Sequence, residues 1–342
     1  MANKRLTKVA ELAGVSESTV SRVLNGSPEV APKTRDAVLA ALGICGFELP
    51  EQLREARAPL VGLVVPDLLN PVFPAFVEAI SGLLNKRGLI PVLCTRSTDG
   101  VSEAHHIGML LEQNIGGIIF GGIIFVGASY ADAGPEQGQV LRDRKVPVVL
   151  LNAADENSTS ARVSVDDQAS AEQALTYLAA LGHERIGMIL GPVGHVPSVR
   201  KLAGFAAFCR RQGIAADDWR QLVAYAQFSM EGGAMALPGL LAQGVTAVVC
   251  ASDALALGAI RAARRQGLSV PEDLSAVGFD DSLYMVATDP PLTTARQPIE
   301  AMAAAAVSAL ATQMDGHALV NELMMFDTQL IVRGSTAPRL TR

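Results

Sequence analysis

The chain has 342 residues, of which 49% are apolar, 18% are charged and 4% are aromatic. This length suits two or three domains with large cores, and the apolar fraction excludes a disordered chain. The longest uncharged stretch, residues 113–131, contains five glycines and is expected in a core rather than in a membrane. Four cysteines lie far apart without a Cys-x-x-Cys pair, and no apolar segment follows the basic residues near the N-terminus. We therefore expect free thiols, no secretory signal, no membrane partner and a cytoplasmic location.

The charges are distributed unevenly along the chain. Residues 1–46 contain six Lys or Arg and four Asp or Glu, a net charge of +2. Residues 59–342 contain 20 Lys or Arg and 27 Asp or Glu, a net charge of −7. A basic head on an acidic body is a weak indication of nucleic-acid contact at the head.

The first two predicted helices flank a glycine. Thr7 is expected to cap a helix over residues 8–13, and Ser16 is expected to cap a second helix that runs to residue 24. Gly14 lies between them and permits a tight turn, because glycine adopts positive φ at little cost.

A third helix is predicted to begin at Pro32, since proline is favoured in the first turn, and to run to about residue 42. Two short helices joined by a glycine turn, with a third behind them, form the helix-turn-helix arrangement, whose second helix can enter the major groove. The outward face of this second helix carries Glu17, Ser18, Thr19, Ser21, Arg22 and Asn25. Hydroxyls and amides suit phosphate contacts, and an arginine can bind guanine with two hydrogen bonds. The alternative is a small helical subdomain with a solvated face.

The spacing of these residues is more specific than the helix pattern. The positions concerned are Val9-Ala10, Ala13-Gly14-Val15-Ser16, Thr19-Val20-Ser21-Arg22-Val23-Leu24-Asn25, Lys33-Thr34-Arg35 and Gly46-Phe47. Together they resemble the DNA-binding head of the LacI/GalR family of bacterial repressors. The resemblance implies that Glu17, Ser18 and Arg22 read bases. It also implies DNA contacts, mostly to the backbone, by Thr7, Ser16, Thr19, Ser21, Asn25 and Thr34. Glu17 is unusual on a DNA surface, since it could accept a hydrogen bond from a cytosine amino group or simply repel phosphate.

Between the head, residues 1–46, and the body, residues 60–342, lies a charged segment, residues 47–59, whose composition alone is typical of a linker. The resemblance implies a hinge helix that folds on DNA, where two such helices insert leucines into the minor groove and kink the duplex. Leu53 is the expected wedge, from its distance before Val61-Gly62-Leu63. Because the segment is about one helical turn shorter than the family's pattern, the hinge helix is expected to start late.

From residue 60 onward, apolar β-rich runs alternate with helical segments. Strands are predicted at residues 60–65, 90–94, 117–119, 146–151, 162–165, 186–190, 222–224, 247–250 and 276–279. Helices are predicted between the first three strands, at residues 75–86 and 102–113. This alternation predicts two α/β lobes, each a doubly wound parallel sheet. We expect an N-lobe of about residues 60–162 plus 294–323. We expect a C-lobe of about residues 163–293 plus 324–340.

The same architecture occurs in Rossmann enzymes, but their motifs are missing. No strand is followed by Gly-x-Gly-x-x-Gly, and the sequence contains neither a Walker Gly-Lys-Ser/Thr motif nor a Gly-x-Ser-x-Gly elbow. The histidines and cysteines show no metal-ligand spacing, and His183 and the His105-His106 pair are interpreted as structural or surface residues. We therefore expect no enzyme activity, no cofactor and no metal.

Polar and aromatic side chains follow the predicted strands, at the carboxyl ends where parallel sheets bind ligands. The candidates are Asp67, Asn70, Phe73, Asp167, Arg200, Phe228, Ser252, Phe279, Asp280 and Gln297. Charged groups pair with hydroxyls and aromatic rings cover C–H faces, so this mixture suits a sugar. Asp166 and Asp281 are interpreted as helix caps, whereas Asp167 and Asp280 are expected to face the ligand.

Motifs in the body carry a second resemblance. They are Gly62-Leu63-Val64-Val65-Pro66-Asp67, Leu181-Gly182-His183-Glu184-Arg185-Ile186, Arg200-Lys201-Leu202-Ala203-Gly204-Phe205, Val277-Gly278-Phe279-Asp280-Asp281 and Pro291-Leu292-Thr293-Thr294. They resemble the LacI/GalR core, which is itself similar to periplasmic sugar-binding proteins. The resemblance implies effector contacts at Asn70, Phe73, Asp167, Arg200, Phe228, Ser252, Asp280 and Gln297. Ser252 departs from the asparagine common at its position, which favours a different or larger ligand.

The sequence GGIIF occurs twice in tandem, at residues 116–120 and 121–125. Five added residues would exchange the two faces of a strand, so the extra copy is expected to bulge out or to enter the following loop. No ligand contact is assigned there.

Taken together, these patterns predict a bacterial transcriptional repressor, associated with the nucleoid when bound to operator DNA. The resemblance implies a small-molecule effector, a sugar or related metabolite, bound between the two lobes. A homodimer is expected because paired heads read half-sites related by two-fold symmetry. The sequence shows no heptad repeat that would indicate a larger assembly through a coiled coil. The alternative from another class is a sugar-binding receptor without DNA-dependent regulation.

Overall fold

The computed structural model of the protein describes residues 2–27, 29–45, 59–66, 68–95, 108, 120–126, 135–153, 160–317, 319 and 322–339. The chain divides into two units. The first unit comprises Met1–Val64, Ser81–Ile124 and Tyr130–Pro147. The second comprises Val65–Ile80, Phe125–Ser129 and Val148–Arg342. The predicted hinge falls outside the described residues except for Pro59, and so does its expected wedge, Leu53.

The head consists of three helices, α1 (Ala2–Ala13), α2 (Glu17–Leu24) and α3 (Pro32–Ile44). Gly14 adopts φ +63° in the turn between α1 and α2, as predicted for a helix-turn-helix. The apolar residues that recur along the helices meet in one core, whose fully buried members are Val9, Val20, Val23, Val38 and Leu42. The sequence prediction of three packed helices is therefore confirmed.

The start of α1 differs from the prediction. Ser16 caps α2 as predicted, since its Oγ accepts a hydrogen bond from the Thr19 amide at 3.2 Å. The capping role predicted for Thr7 is wrong, because α1 already begins at Ala2 and Thr7 lies inside it. Alanine, lysine and arginine favour helix, and their presence before Thr7 explains the earlier start.

The body contains strands and helices in alternation. The strands are β1 (Leu60–Val65), β2 (Ile90–Thr95), β3 (Phe120–Val126), β4 (Val148–Leu151), β5 (Ala161–Val165), β6 (Ile186–Leu190), β7 (Val223–Tyr225), β8 (Ala247–Cys250), β9 (Ser275–Asp280), β10 (Thr293–Arg296), β11 (Leu323–Phe326) and β12 (Gln329–Ile331). The helices are α4 (Val72–Lys86), α5 (Pro135–Asp143), α6 (Asp167–Ala180), α7 (Val196–Arg211), α8 (Ala216–Arg220), α9 (Met230–Ala242), α10 (Asp253–Arg265) and α11 (Ile299–Met314).

Among the described residues, these strands form two six-stranded sheets, with the orders β11-β5-β4-β3-β1-β2 and β12-β10-β9-β8-β6-β7. Neighbours β4, β5 and β11 run parallel, as do β7, β6, β8, β9 and β10, whereas β12 is antiparallel to β10. Strands β6 and β8 are buried at every position, which is typical of parallel sheets covered on both faces. The predicted pair of doubly wound sheets is confirmed.

The sheet pairing refines the predicted lobe limits. Strand β5 pairs with β4 and β11 in the first sheet, so the limit expected at residues 162–163 falls inside a strand. Strand β10 pairs with β9 in the second sheet, although its last residues were expected in the N-lobe. These assignments depend on hydrogen-bond partners distant in sequence, which local patterns do not specify.

Strand β3 includes Phe120, the last residue of the first GGIIF copy, and all of the second copy. The strand predicted at residues 117–119 lies outside the described residues, and the second GGIIF copy supplies most of Phe120–Val126. Ile124 and Phe125 are fully buried, so the second copy contributes to the core. The bulge or loop expected for the extra copy stays a prediction, because residues 116–119 lie outside the described residues. Of the helix predicted over residues 102–113, only Gly108 is described.

The four cysteines, Cys45, Cys94, Cys209 and Cys250, are free thiols, as predicted. Across the described parts of the chain, no helix combines the length and the apolar character that a membrane span requires.

Candidate functional site

The exposed face of α2 presents the predicted DNA-contacting side chains. Those exposed are Ser16, Glu17, Ser18, Ser21, Arg22 and Asn25, whereas Thr19 and Thr34 are half-buried. The Ser16 hydroxyl lies 2.8 Å from that of Ser18 and 2.9 Å from that of Thr19. Three hydroxyls thus cluster at the N-terminus of α2, where free backbone N–H groups and the helix dipole favour phosphate.

A chain of hydrogen bonds, here called the polar chain, joins the ends of two strands in the second unit. Asp280 ends β9 and is 5% exposed, and its Oδ1 accepts a hydrogen bond from Gln297 Nε2 at 2.7 Å. Gln297 Oε1 in turn accepts from Asn152 Nδ2, also at 2.7 Å, at the end of β4. Asp280 and Asn152 have φ of +113° and +51°, values that bulky residues rarely adopt. The polar chain of Asp280, Gln297 and Asn152 therefore lies where backbone strain and buried polar groups coincide.

The second carboxylate oxygen of Asp280 is unsatisfied. Its Oδ2 is buried without a hydrogen-bond partner among the described residues, although the Asn70 side chain is near enough to lower the pKa. Burial raises the pKa of Asp280 well above its ordinary value, and Asp253 raises it further, against smaller opposing effects of Gln297 and Lys201. A buried acceptor without a partner is costly, and a ligand hydroxyl would satisfy it.

Asp253 is the first residue of α10 and lies near enough to Asp280 to raise its pKa. Its Oδ1 accepts from Thr294 Oγ1 at 2.6 Å and its Oδ2 from the Ser282 amide at 2.7 Å. Burial outweighs these bonds and raises the pKa of Asp253 to about 6. Asp253 is thus held by its neighbours, whereas Asp280 keeps one oxygen available.

A buried ion pair lies beside this carboxyl pair. Lys201 on α7 donates to Asp167, the first residue of α6, and both side chains are almost fully buried. The Lys201 Nζ also lies 3.5 Å from the centre of the Phe279 ring. The ammonium group is therefore held between a carboxylate and an aromatic face, a favourable place for a desolvated cation.

An aromatic side chain covers the end of β6. The Phe228 ring meets the His195 ring edge-on, with 5.1 Å between centroids. A Cβ placed on Gly191 would lie 2.1 Å from a Phe228 ring atom, so only glycine leaves room for the ring. The position of the Phe228 ring, the aromatic surface predicted from the sequence, thus requires glycine at residue 191, directly after β6.

Comparison with known proteins places the chain in a family. Residues 5–48 match the family described as "Bacterial regulatory proteins, lacI family", and residues 175–336 match "Periplasmic binding protein-like domain". The transcriptional regulator MalR of Streptomyces coelicolor is 45% identical over 337 residues, which cover 97% of this chain and 96% of MalR. The chain belongs to the LacI family. It is therefore a DNA-binding transcriptional regulator of the helix-turn-helix type. The family and the regulatory function predicted from the sequence are confirmed, and the predicted effector stays a prediction.

Two solved structures resemble this LacI-family regulator over nearly its whole length. The transcriptional regulator CelR–cellobiose complex is 32% identical, with a TM-score of 0.72 over 96% of this chain and 99% of that one. The lac repressor dimer bound to operator and the anti-inducer ONPF is 28% identical, with a TM-score of 0.71 over 96% and 98%.

The structure of this LacI-family regulator brings Lys201, rather than Arg200, to the buried cluster. Arg200 is half-buried, and its side chain forms no hydrogen bond or ion pair with the described residues. Its effector contact stays a prediction. The signal for Lys201 was available in the sequence, because it falls in helical register with the buried Phe205 and Phe208.

The other predicted effector residues have diverse surroundings. Ser252 is buried and caps α10, where its Oγ accepts from the Leu255 amide at 3.2 Å. Asn70 is buried and accepts from the Val72 amide at 3.4 Å, and Phe73 is half-buried. Asp67 lies outside the described residues.

Of the two aspartates predicted as caps, one is confirmed and one is wrong. Asp166 caps α6 by accepting from the Ala169 amide at 2.9 Å. Asp281 instead forms ion pairs with Arg296 at 2.6 Å and Arg333 at 2.7 Å. The two arginines come from β10 and from the segment after β12, so only tertiary contacts reveal this role. In the described part of the chain, no group of three potential ligands could hold a metal ion.

Proposed function

We propose that this LacI-family regulator binds a sugar at the polar chain and that the sugar controls its affinity for operator DNA. The buried Oδ2 of Asp280 carries the proposal, since it has no hydrogen-bond partner among the described residues and a buried acceptor calls for a hydroxyl donor. Gln297 and Asn152 hold the carboxylate in place, and Phe228 offers an apolar surface for the C–H face of a sugar ring. The cellobiose bound by CelR supports a sugar, and its disaccharide size agrees with the larger ligand that Ser252 favours.

Control of operator affinity requires that the sugar bind two arrangements of the regulator unequally. A ligand with equal affinity for both would shift nothing, and the coupling free energy is commonly 1–3 kcal/mol. We propose that the regulator acts as a homodimer in the cytoplasm, with each head on one operator half-site. The operator-bound lac repressor dimer supports this arrangement. In this proposal the buried carboxyls bind and do not catalyse.

A ligand screen followed by one substitution tests the site. Sugars that bind only the folded state must raise its melting temperature, so a thermal-shift panel of mono- and disaccharides identifies the effector. Asp280→Asn keeps the side-chain shape but replaces an acceptor by a donor. It should weaken the binding of that sugar about tenfold or more, and leave operator affinity without sugar within a few-fold.

Asp218→Asn is the matched control, because it makes the same chemical change at an exposed position on α8. It should alter neither sugar nor operator binding. Unchanged sugar affinity in Asp280→Asn would place the ligand elsewhere, and a panel without any stabilising sugar would refute the ligand class.

A further inference from the structure

A side-chain hydrogen bond joins two helices of the head. Thr7 on α1 donates from Oγ1 to Oε1 of Glu17, the first residue of α2, at 2.6 Å. Both side chains are exposed, on the side of the head where the N-terminus of α2 lies. The other carboxylate oxygen, Glu17 Oε2, makes no hydrogen bond with any residue that the structure describes.

The position of Glu17 determines what it can meet on DNA. In a helix-turn-helix protein the N-terminal residues of the second helix contact base edges in the major groove. A carboxylate accepts hydrogen bonds and donates none, and it is repelled by phosphate. A base amino group is therefore the DNA partner that suits Glu17.

The four bases differ in what they offer there. Guanine and thymine present acceptors in the major groove, and adenine presents its amino group beside the acceptor N7. Cytosine presents an amino donor alone, which is why glutamate pairs with it. A single free oxygen, Oε2 of Glu17, matches this single donor.

The bond from Thr7 distinguishes base reading from simple repulsion. Because the hydroxyl comes from a different helix, it favours one orientation of the Glu17 carboxylate on α2. A carboxylate restrained in this way has already lost part of the side-chain freedom that binding would otherwise cost. Such restraint favours a specific contact and disfavours a role in repulsion alone.

We infer that Glu17 selects a cytosine in each operator half-site and that Thr7 is the positioning residue that orients its carboxylate. This inference concerns the operator and is independent of the proposed sugar. A failed sugar screen would leave it intact.

Selection of binding sites from a pool of randomised duplex DNA tests the inference. The full-length wild-type protein should enrich cytosine at one position of each half-site, by about 5- to 100-fold over other bases. Glu17→Gln should change the preference at that position to adenine, since a glutamine amide pairs with adenine. Thr7→Val keeps a β-branched side chain without the hydroxyl and should reduce the cytosine preference several-fold. Thr7→Ser should restore it.

Ser21→Ala is the control, because Ser21 is exposed on α2 and is expected to contact the DNA backbone. It should weaken all sequences equally and leave the preferences unchanged. A base preference compares the affinities of one protein sample for two DNA sequences. A partly unfolded fraction of a variant lowers both affinities equally and does not change the preference.

Unchanged preferences in Glu17→Gln, or a wild-type site without cytosine at the affected position, would overturn the role of Glu17. Uniform weakening by Thr7→Val, with the preference intact, would show that Thr7 contacts only the backbone and would overturn its positioning role.

Discussion

Lys201→Met tests whether the buried ion pair with Asp167 holds the second sheet and its helices together. Methionine has a similar length and retains apolar contact with the Phe279 ring, so little packing is lost. The substitution removes the only charge that the structure pairs with Asp167 among the described residues. The carboxylate would then be buried without compensation.

The expected loss is large because both partners are desolvated. The side chains of Lys201 and Asp167 are 4% and 2% exposed, so solvent screening is weak. Removing one partner of such a pair costs about 3–5 kcal/mol. For a unit of this size the loss corresponds to a melting temperature lower by about 6 to 20 °C.

Urea unfolding followed by tryptophan fluorescence measures the effect locally. Trp219 is the single tryptophan of the chain and packs edge-on against Phe205, with 5.9 Å between ring centroids. Phe205 lies on the same helix as Lys201, so the fluorescence reports on that helix. Asp167→Asn combined with Lys201→Met removes both charges and should recover at least half of the loss, since the uncompensated carboxylate is gone. A cost below about 1 kcal/mol for Lys201→Met, or no recovery in the double variant, would refute the reasoning from burial.

The remaining predictions concern pH and the aromatic surface. Burial raises the pKa of Asp253 from 3.8 to about 6, so the native state binds this proton more tightly than the unfolded chain. The free energy of unfolding should therefore fall as pH rises from 3.8 to about 6, and Asp253→Asn should flatten that slope in urea titrations at several pH values. Gly191→Ala should displace the Phe228 ring and weaken sugar binding about tenfold or more, measured by calorimetry. Gly239→Ala, where an added Cβ meets no atom within 4 Å, should leave it unchanged.

Local patterns in the sequence determined the head and most of the strands. Ser16 caps α2, Gly14 turns the chain, and Val20 and Val23 lie on one helical face, all within a few residues of one another. The sequence also predicts the strands β6 and β8, because strands buried on both faces appear as continuous apolar runs. The spacing of such local features also identified the family.

The tertiary structure alone decided which side chains meet. Asn152 and Gln297 are 145 residues apart, and Lys201 and Asp167 are 34 apart, yet each pair is joined by a hydrogen bond. Helical register with Phe205 and Phe208 places Lys201 on the buried face of its helix, but only tertiary packing brings that face to Asp167. Similarly, the place of β3 between β4 and β1 is set by strand pairing, which the GGIIF sequence does not specify. Secondary structure arises from neighbours in the chain, whereas a site of buried polar groups arises from neighbours in space.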